Sequence, residues 1–186
     1  KKYRTANLGG RCWMTQNLDY GTSLSISPAQ PQSDNCVAEK YCESSDPTCS
    51  FGALYQWDEL IDYQTQPGSK GICPPGWHIP TESEWQHLID NVVNGITAPI
   101  ANATAGAELK DQNLPAGFKA NLKGIFYLNS HWAFTSGSLT STMFWTSTPD
   151  GDRSAKSRGM NNYTSSLSSY SAAKSNAFPV RCIKDQ

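Results

Sequence analysis

The chain has 186 residues, with 15 Lys and Arg against 16 Asp and Glu, for a net charge of −1. That length suits one domain, 1–186, able to bury a sizeable core; the balanced charge gives no reason to expect a nucleic acid or an anionic membrane as partner. No run of about 18 apolar residues is present to cross a bilayer, and Lys1 opens no signal-peptide pattern.

In chain order, Arg11 to Tyr20 sets Cys12, Met14 and Leu18 against Thr15, Gln16 and Asn17, which predicts a short strand running into a turn. From Gly21 to Pro47 the sequence is rich in Ser, Pro, Gln and Asn without periodicity, and reads as loop. Leu54, Tyr55, Trp57 and Ile61 fall near one face at helical spacing, predicting a first helix of about ten residues over 51–61. Residues 64–71 return to loop. Pro74, Pro75, Gly76 and Pro80 then stiffen an arm that carries Trp77, with Cys73 at its far end. Thr81 and Glu84 form a capping box that starts a second helix. Trp85, Leu88, Ile89, Val92 and Val93 supply its apolar stripe, and Gly95 its stop. This helix is the expected hub of the core. Residues 96–115 are Ala-rich and polar, with no form assigned. Short strands are expected at 124–128, 131–134 and 143–146, and a last one at 177–184 with Phe178, Val180 and Cys182 on one face. Two helices early and strands late make an α+β domain with much irregular surface.

The six cysteines run from Cys12 to Cys182. Cys36, Cys42 and Cys49 are too widely spaced for a zinc knuckle, so disulfides and an oxidising compartment are expected. Six cysteines allow fifteen pairings and the sequence does not choose among them; Cys42 to Cys49, around an Asp46-Pro47 turn, is the easiest local closure.

Five blocks in order carry a resemblance: Cys12-Trp-Met-Thr-Gln-Asn-Leu18, Cys42 to Cys49 before Phe51-Gly-Ala-Leu-Tyr-Gln-Trp57, Cys73-Pro-Pro-Gly-Trp-His-Ile-Pro-Thr-Glu-Ser-Glu-Trp85, Phe144-Trp-Thr-Ser-Thr148, and Phe178-Pro-Val-Arg-Cys-Ile-Lys-Asp185. Together they resemble the Fibrobacter succinogenes major paralogous domain over nearly the whole chain. That family is similar to C-type-lectin-like folds of the formylglycine-generating-enzyme type. The resemblance implies two helices flanking small antiparallel sheets, adjacent termini and a ligand face on the C-terminal loops. It also implies disulfides 42–49 and 73–182, leaving Cys12–Cys36 by elimination.

An enzyme is not expected. His78, His87 and His131 form no metal or catalytic motif, and no Gly-x-Ser-x-Gly or phosphate loop occurs. A formylglycine-generating-type oxidase would need two free thiols close together near the C-terminal half. Recognition is better supported. Residues 146–176 hold nine Ser, two Tyr and three Asn, the composition of an adaptable contact surface, and are expected to lie outside the core. The expected ligand face comprises Trp145, Asp152, Arg153, Arg158, Asn161, Asn162, Tyr163 and Tyr170, for a protein or carbohydrate on another surface. No cofactor or metal is expected: Asp150-Gly151-Asp152 reads as a surface turn rather than a calcium loop. Asn102 and Asn162 begin glycosylation patterns. The resemblance further suggests a variable protein of a diversity-generating retroelement, with 147–176 as its diversified tract. A secreted or cell-surface setting follows from the cysteines, and an architectural surface module is the remaining alternative.

Overall fold

Glu84 and Thr81 close the predicted capping box. Thr81 Oγ1 accepts from the Glu84 N–H at 3.2 Å, and Glu84 Oε2 accepts from the Thr81 N–H at 2.9 Å. In the computed structural model, which describes residues 1–26, 28–43, 46–92, 100–113, 117–122, 126–128, 134–136 and 140–186, this box starts helix α2, Glu82–Val92. Trp85, Leu88 and Ile89 are fully buried along its stripe. Val93 and Gly95, the expected end, lie outside the described residues, as do His131 and most of the strand expected at 131–134.

Before α2 come β1 (Thr5–Leu8), β2 (Arg11–Met14), β3 (Thr22–Leu24), β4 (Glu39–Tyr41), α1 (Trp57–Leu60) and β5 (Trp77–His78). After it come α3 (Ile100–Lys110), β6 (Phe126–Leu128), β7 (Phe134–Ser136), β8 (Ser141–Pro149), β9 (Ser154–Asn161), β10 (Ser168–Ala173) and β11 (Ile183–Lys184). One sheet has the order β1-β2-β11-β5, with Ile183 between Trp13 and His78. A second, β10-β9-β8, is an antiparallel meander, and β6–β7 pair antiparallel. The other sheets are small and antiparallel, as the resemblance implies, while the β3–β4 pair is parallel. The class is α+β, as expected.

In the β8–β9–β10 sheet, β8 and β9 are covered on both faces, while the edge strand β10 is largely exposed. Side chains alternate along a strand, so Phe144 joins Trp13, Trp85 and Phe118, with centroids 5.2–6.1 Å apart. Met143 and Trp145 turn to the other cluster, where Trp145 lies 4.4 Å from Phe178. Such edge-on and tilted aromatic pairs add roughly 0.5–1.5 kcal/mol each beyond their area.

Several expectations need correction. The helix expected at 51–61 shrinks to Trp57–Leu60 because Tyr55 exchanges both backbone hydrogen bonds with Phe178 and Leu54 does the same with Tyr41, holding that stretch extended. The last strand is confined to Ile183–Lys184, because Phe178, Pro179, Val180 and Cys182 bond in turn to Tyr55, Trp145, Leu18 and Met14 and no single partner builds a ladder with them. A third helix, α3, occupies the Ala-rich segment. Cys42–Cys49 and Cys73–Cys182 are bonded as the resemblance implies, but Cys12 and Cys36 are free thiols. Cys12 sits within β2, opposite Asn7 of β1, while Cys36 lies on the loop before β4 where Asn35 is tied to Glu39. Each thiol belongs to its own local structure, and no bridge joins them.

Candidate functional site: a tyrosine-lined cleft on the C-terminal sheet

Of the eight residues expected on the ligand face, the structure places two inside. Trp145 is fully buried and its Nε1 donates to the Tyr55 carbonyl at 2.8 Å. Arg158 is 4% exposed; its guanidinium bridges to Glu82 at 2.7 Å and donates to Gln86 Oε1 at 3.2 Å. Both are structural: Trp145 fills the gap between β8 and Phe178, and Arg158 ties β9 to α2. The expectation that residues 146–176 stay out of the core also fails, because β9 is the middle strand and Ala155, Ser157 and Met160 are buried in it.

The other six remain at the surface or its edge. Asp152 and Arg153 are exposed in the β8–β9 turn. Asn161, half-buried, accepts at Oδ1 from the N–H groups of Tyr163 and Thr164 at 2.9 and 3.0 Å, an Asx-type turn that fixes the next loop. Asn162 is exposed, Tyr163 is 78% exposed and Tyr170, on the edge strand β10, is 47% exposed.

Tyr170 forms one wall of a cleft of about 390 Å³ whose other prominent contributors are Tyr127, Ser141, Asn161, Ser171 and Asn176. No described residue lining it carries a charge. Tyr127 is 43% exposed, donates to Met143 Sδ at 3.5 Å and meets Phe178 edge-on at 6.1 Å. Burial, with Tyr170 nearby, raises the Tyr127 phenol above its ordinary value, so it stays a neutral donor. Gly159 makes room for the Tyr170 ring: a Cβ there would lie 2.7 Å from it.

Over residues 6–184 the sequence matches the description of the Fibrobacter succinogenes major domain. The chain belongs to that family. Comparison with curated proteins and with solved structures returned no match.

In this Fibrobacter succinogenes major domain the loop beside the cleft is held from behind by α3. Lys110 Nζ donates to the carbonyls of Asn161 and of Thr164, the latter at 2.7 Å, and the Ala107 N–H donates to Ser165 O at 3.2 Å. Gly106 lets helix and loop touch, since a Cβ would fall 2.2 Å from Ser166 O. Tyr127, Gly106 and Lys110 are the participants that sequence reasoning passes over. Each lies far along the chain from the Ser-rich tract or looks like routine strand or helix sequence; only topology unites them.

Two of the histidines have structural work. His87 Nε2 bonds to Gly9 O at 2.8 Å, and His78 sits between Glu84 and Asp185. Asp150 pairs with Lys156 at 3.0 Å, and the hydrogen bonds from Ser171 and Lys156 hold its carboxyl below the ordinary range. Among the described residues no group of three or more His, Cys, Asp or Glu is placed to hold a metal, and no helix is long and apolar enough to cross a membrane.

Proposed function

We propose that this domain is a non-catalytic recognition module, secreted or displayed on a cell surface, that binds a carbohydrate or protein through the Tyr127–Tyr170 cleft and the adjoining loop at Asn162 and Tyr163. The observation that carries the reading is the cleft itself: two half-exposed phenol rings in a lining that mixes Ser, Thr and Asn with Met and Ala, with no charged side chain among its described residues. Rings of this kind offer flat apolar contact at low entropic loss, while Ser and Asn adapt their hydrogen bonds. An uncharged polyhydroxyl ligand, a neutral glycan, suits that lining better than an ionic one. We read the scaffold as C-type-lectin-like, with two braces of sulfur supporting a C-terminal ligand face. Exposed Asn162, Tyr163, Ser165, Ser169 and Tyr170 are the positions that a diversity-generating retroelement could vary without touching the core; a template repeat and reverse-transcriptase gene beside the parent locus is the expected finding, and their absence removes that part.

A glycan and protein array comparing the wild type with Tyr127→Ala, Tyr163→Ala and Tyr170→Ala tests the main reading. At least tenfold weaker signal is expected for Tyr127→Ala and Tyr170→Ala, about 1.4 kcal/mol or more each. Equal signals for all four proteins, or silence from all, would overturn it, silence favouring an architectural module. The formylglycine-generating-type alternative draws on the two free thiols. They lie in the N-terminal third, with Cys36 on the loop before β4 and Cys12 in a strand, rather than together in the C-terminal half.

A further inference from the structure

A second cleft, of about 460 Å³, opens on the N-terminal side of the molecule between the loop before β4, the turn after α1 and the 70–75 segment. Tyr20, Val37 and Tyr63 line it, the first two 57% and 52% exposed. Glu59, only 3% exposed, also lines it. Its Oε1 accepts from the Glu39 N–H at 2.8 Å and its Oε2 from the Tyr63 hydroxyl at 3.1 Å. Glu39, 8% exposed, lies behind, accepting from Ser33 N–H and Asn35 Nδ2, both at 2.9 Å. Among the described residues neither carboxylate has an ion-pair partner.

Two carboxylates buried side by side without a cation are costly, since each has lost water and repels the other. Burial, together with Glu39 and Asp62, raises the Glu59 carboxyl above its ordinary value, although the donated hydrogen bonds oppose this. The remaining charges on the cleft do not relieve it. Asp34 and Asp62 add to the negative field. Lys1 is engaged by Asp19, and Lys70, exposed at the rim, donates to Gly71 O at 3.4 Å. A carboxylate offers about four acceptor sites, and the Glu39 N–H and Tyr63 hydroxyl occupy two on Glu59. Three residues of this cleft, Cys36, Asp62 and Tyr63, also hold left-handed backbone at φ 64°, 54° and 53°, a conformation that non-glycine residues adopt at a penalty and that collects at ligand sites.

We propose that this cleft is a binding site for a primary ammonium group on a short apolar stem, with Glu59 as the anion it meets and the Tyr20 and Tyr63 rings flanking the stem. The volume is that of a small-molecule site. An ammonium brings three donors to unused acceptor capacity, and aromatic faces attract it further. The chemistry is shared by a free alkylamine and by a lysine side chain of another protein. The site is separate from the Tyr127–Tyr170 cleft, so either can fail without the other.

The test is a titration followed by amide NMR shifts and calorimetry at constant ionic strength, with three probes: n-butylammonium chloride, its neutral analogue n-butanol, and an acetylated, amidated lysine tripeptide. Saturable shifts at Glu39, Glu59 and Tyr63 are expected with the ammonium probes and not with butanol. Tighter binding of the tripeptide identifies a protein source, and tighter binding of the free amine a small molecule. Glu59→Gln should weaken binding at least tenfold, since the charge that meets the ligand is gone while the amide oxygen can still accept from the Glu39 N–H and hold the fold. Should that variant not fold, Tyr63→Phe, which leaves the carboxylate in place and removes only its hydroxyl partner, should keep selectivity for ammonium over butanol. Equal response to butanol, no saturable response, or undiminished binding by E59Q would overturn the proposal.

Discussion

His78 bonds through both ring nitrogens, Nδ1 to Asp185 at 2.6 Å and Nε2 to Glu84 at 3.0 Å. A neutral imidazole carries one N–H, so only the imidazolium can donate to both. The Glu84 hydrogen bond is the foremost cause raising the His78 pKa above 6.5. Burial pushes Glu84 upward, yet hydrogen bonds from His78 and Thr81 overcome it and hold Glu84 down to about 2. The signs follow by linkage. The stabilisation from His78 is complete below 6.5 and fades as pH rises through its raised folded value. That from Glu84 is complete above 4.5 and fades as pH falls towards about 2. Urea unfolding should therefore show greatest stability between these limits. His78→Gln should lose about 1–2 kcal/mol at mildly acidic pH, the scale of a charge-assisted hydrogen bond, and little at pH values where the wild-type ring is already neutral; an equal loss throughout would sink the imidazolium account. At this scale sequence reasoning misjudges Trp145 and Arg158 for one physical reason. Both lie in strands whose two faces are covered, so alternation between wet and dry sides, the usual guide, does not apply there.

At the scale of elements, α2 is legible because its determinants are local: a cap pair three residues apart and a stripe at helical period. Helix α3 is not. Its buried contacts include Ala105 and Leu109, and small residues that permit close approach leave no stripe to read. Its role against the recognition loop gives an element-level prediction. In a free helix Gly106→Ala would add about 1 kcal/mol of stability. Here the new Cβ meets the Ser166 carbonyl, 2.2 Å away, which belongs to backbone and cannot swing aside. The substitution should instead destabilise by about 1–3 kcal/mol and shift the amide resonances of residues 161–166, seen by thermal unfolding and NMR. A rise in Tm with those resonances unmoved would mean that α3 does not position the loop. Short α1 shows the converse difficulty, since Leu54 and Tyr55 have helical spacing but are claimed by partners far away in sequence.

For the molecule as a whole, the two disulfides close loops of very different size, with separations of 7 and 109 residues. In the chain-entropy picture the short loop is worth at most about 2.5 kcal/mol and the long one at most about 4.8 kcal/mol. Replacing Cys73 and Cys182 by Ala should thus lower the unfolding free energy by about 2 kcal/mol more than replacing Cys42 and Cys49, as read from denaturant midpoints at equal slope. Comparable losses would place the value of these bonds in local geometry instead. The family resemblance made both bridges legible, whereas elimination misleads for Cys12 and Cys36 because nothing obliges every cysteine to pair. The α+β class was readable, and the parallel β3–β4 pairing was not, since register between distant short strands leaves no local mark.

Strands β1 and β11 both border β2, with Ala6 and Ile183 each opposite Trp13, so two strand spacings, about 10 Å, separate the first strand from the last. Both strands pair antiparallel with β2 and so run in the same direction; a polypeptide passing through this sheet enters at one end of the strands and leaves at the other, carried onward rather than turned back.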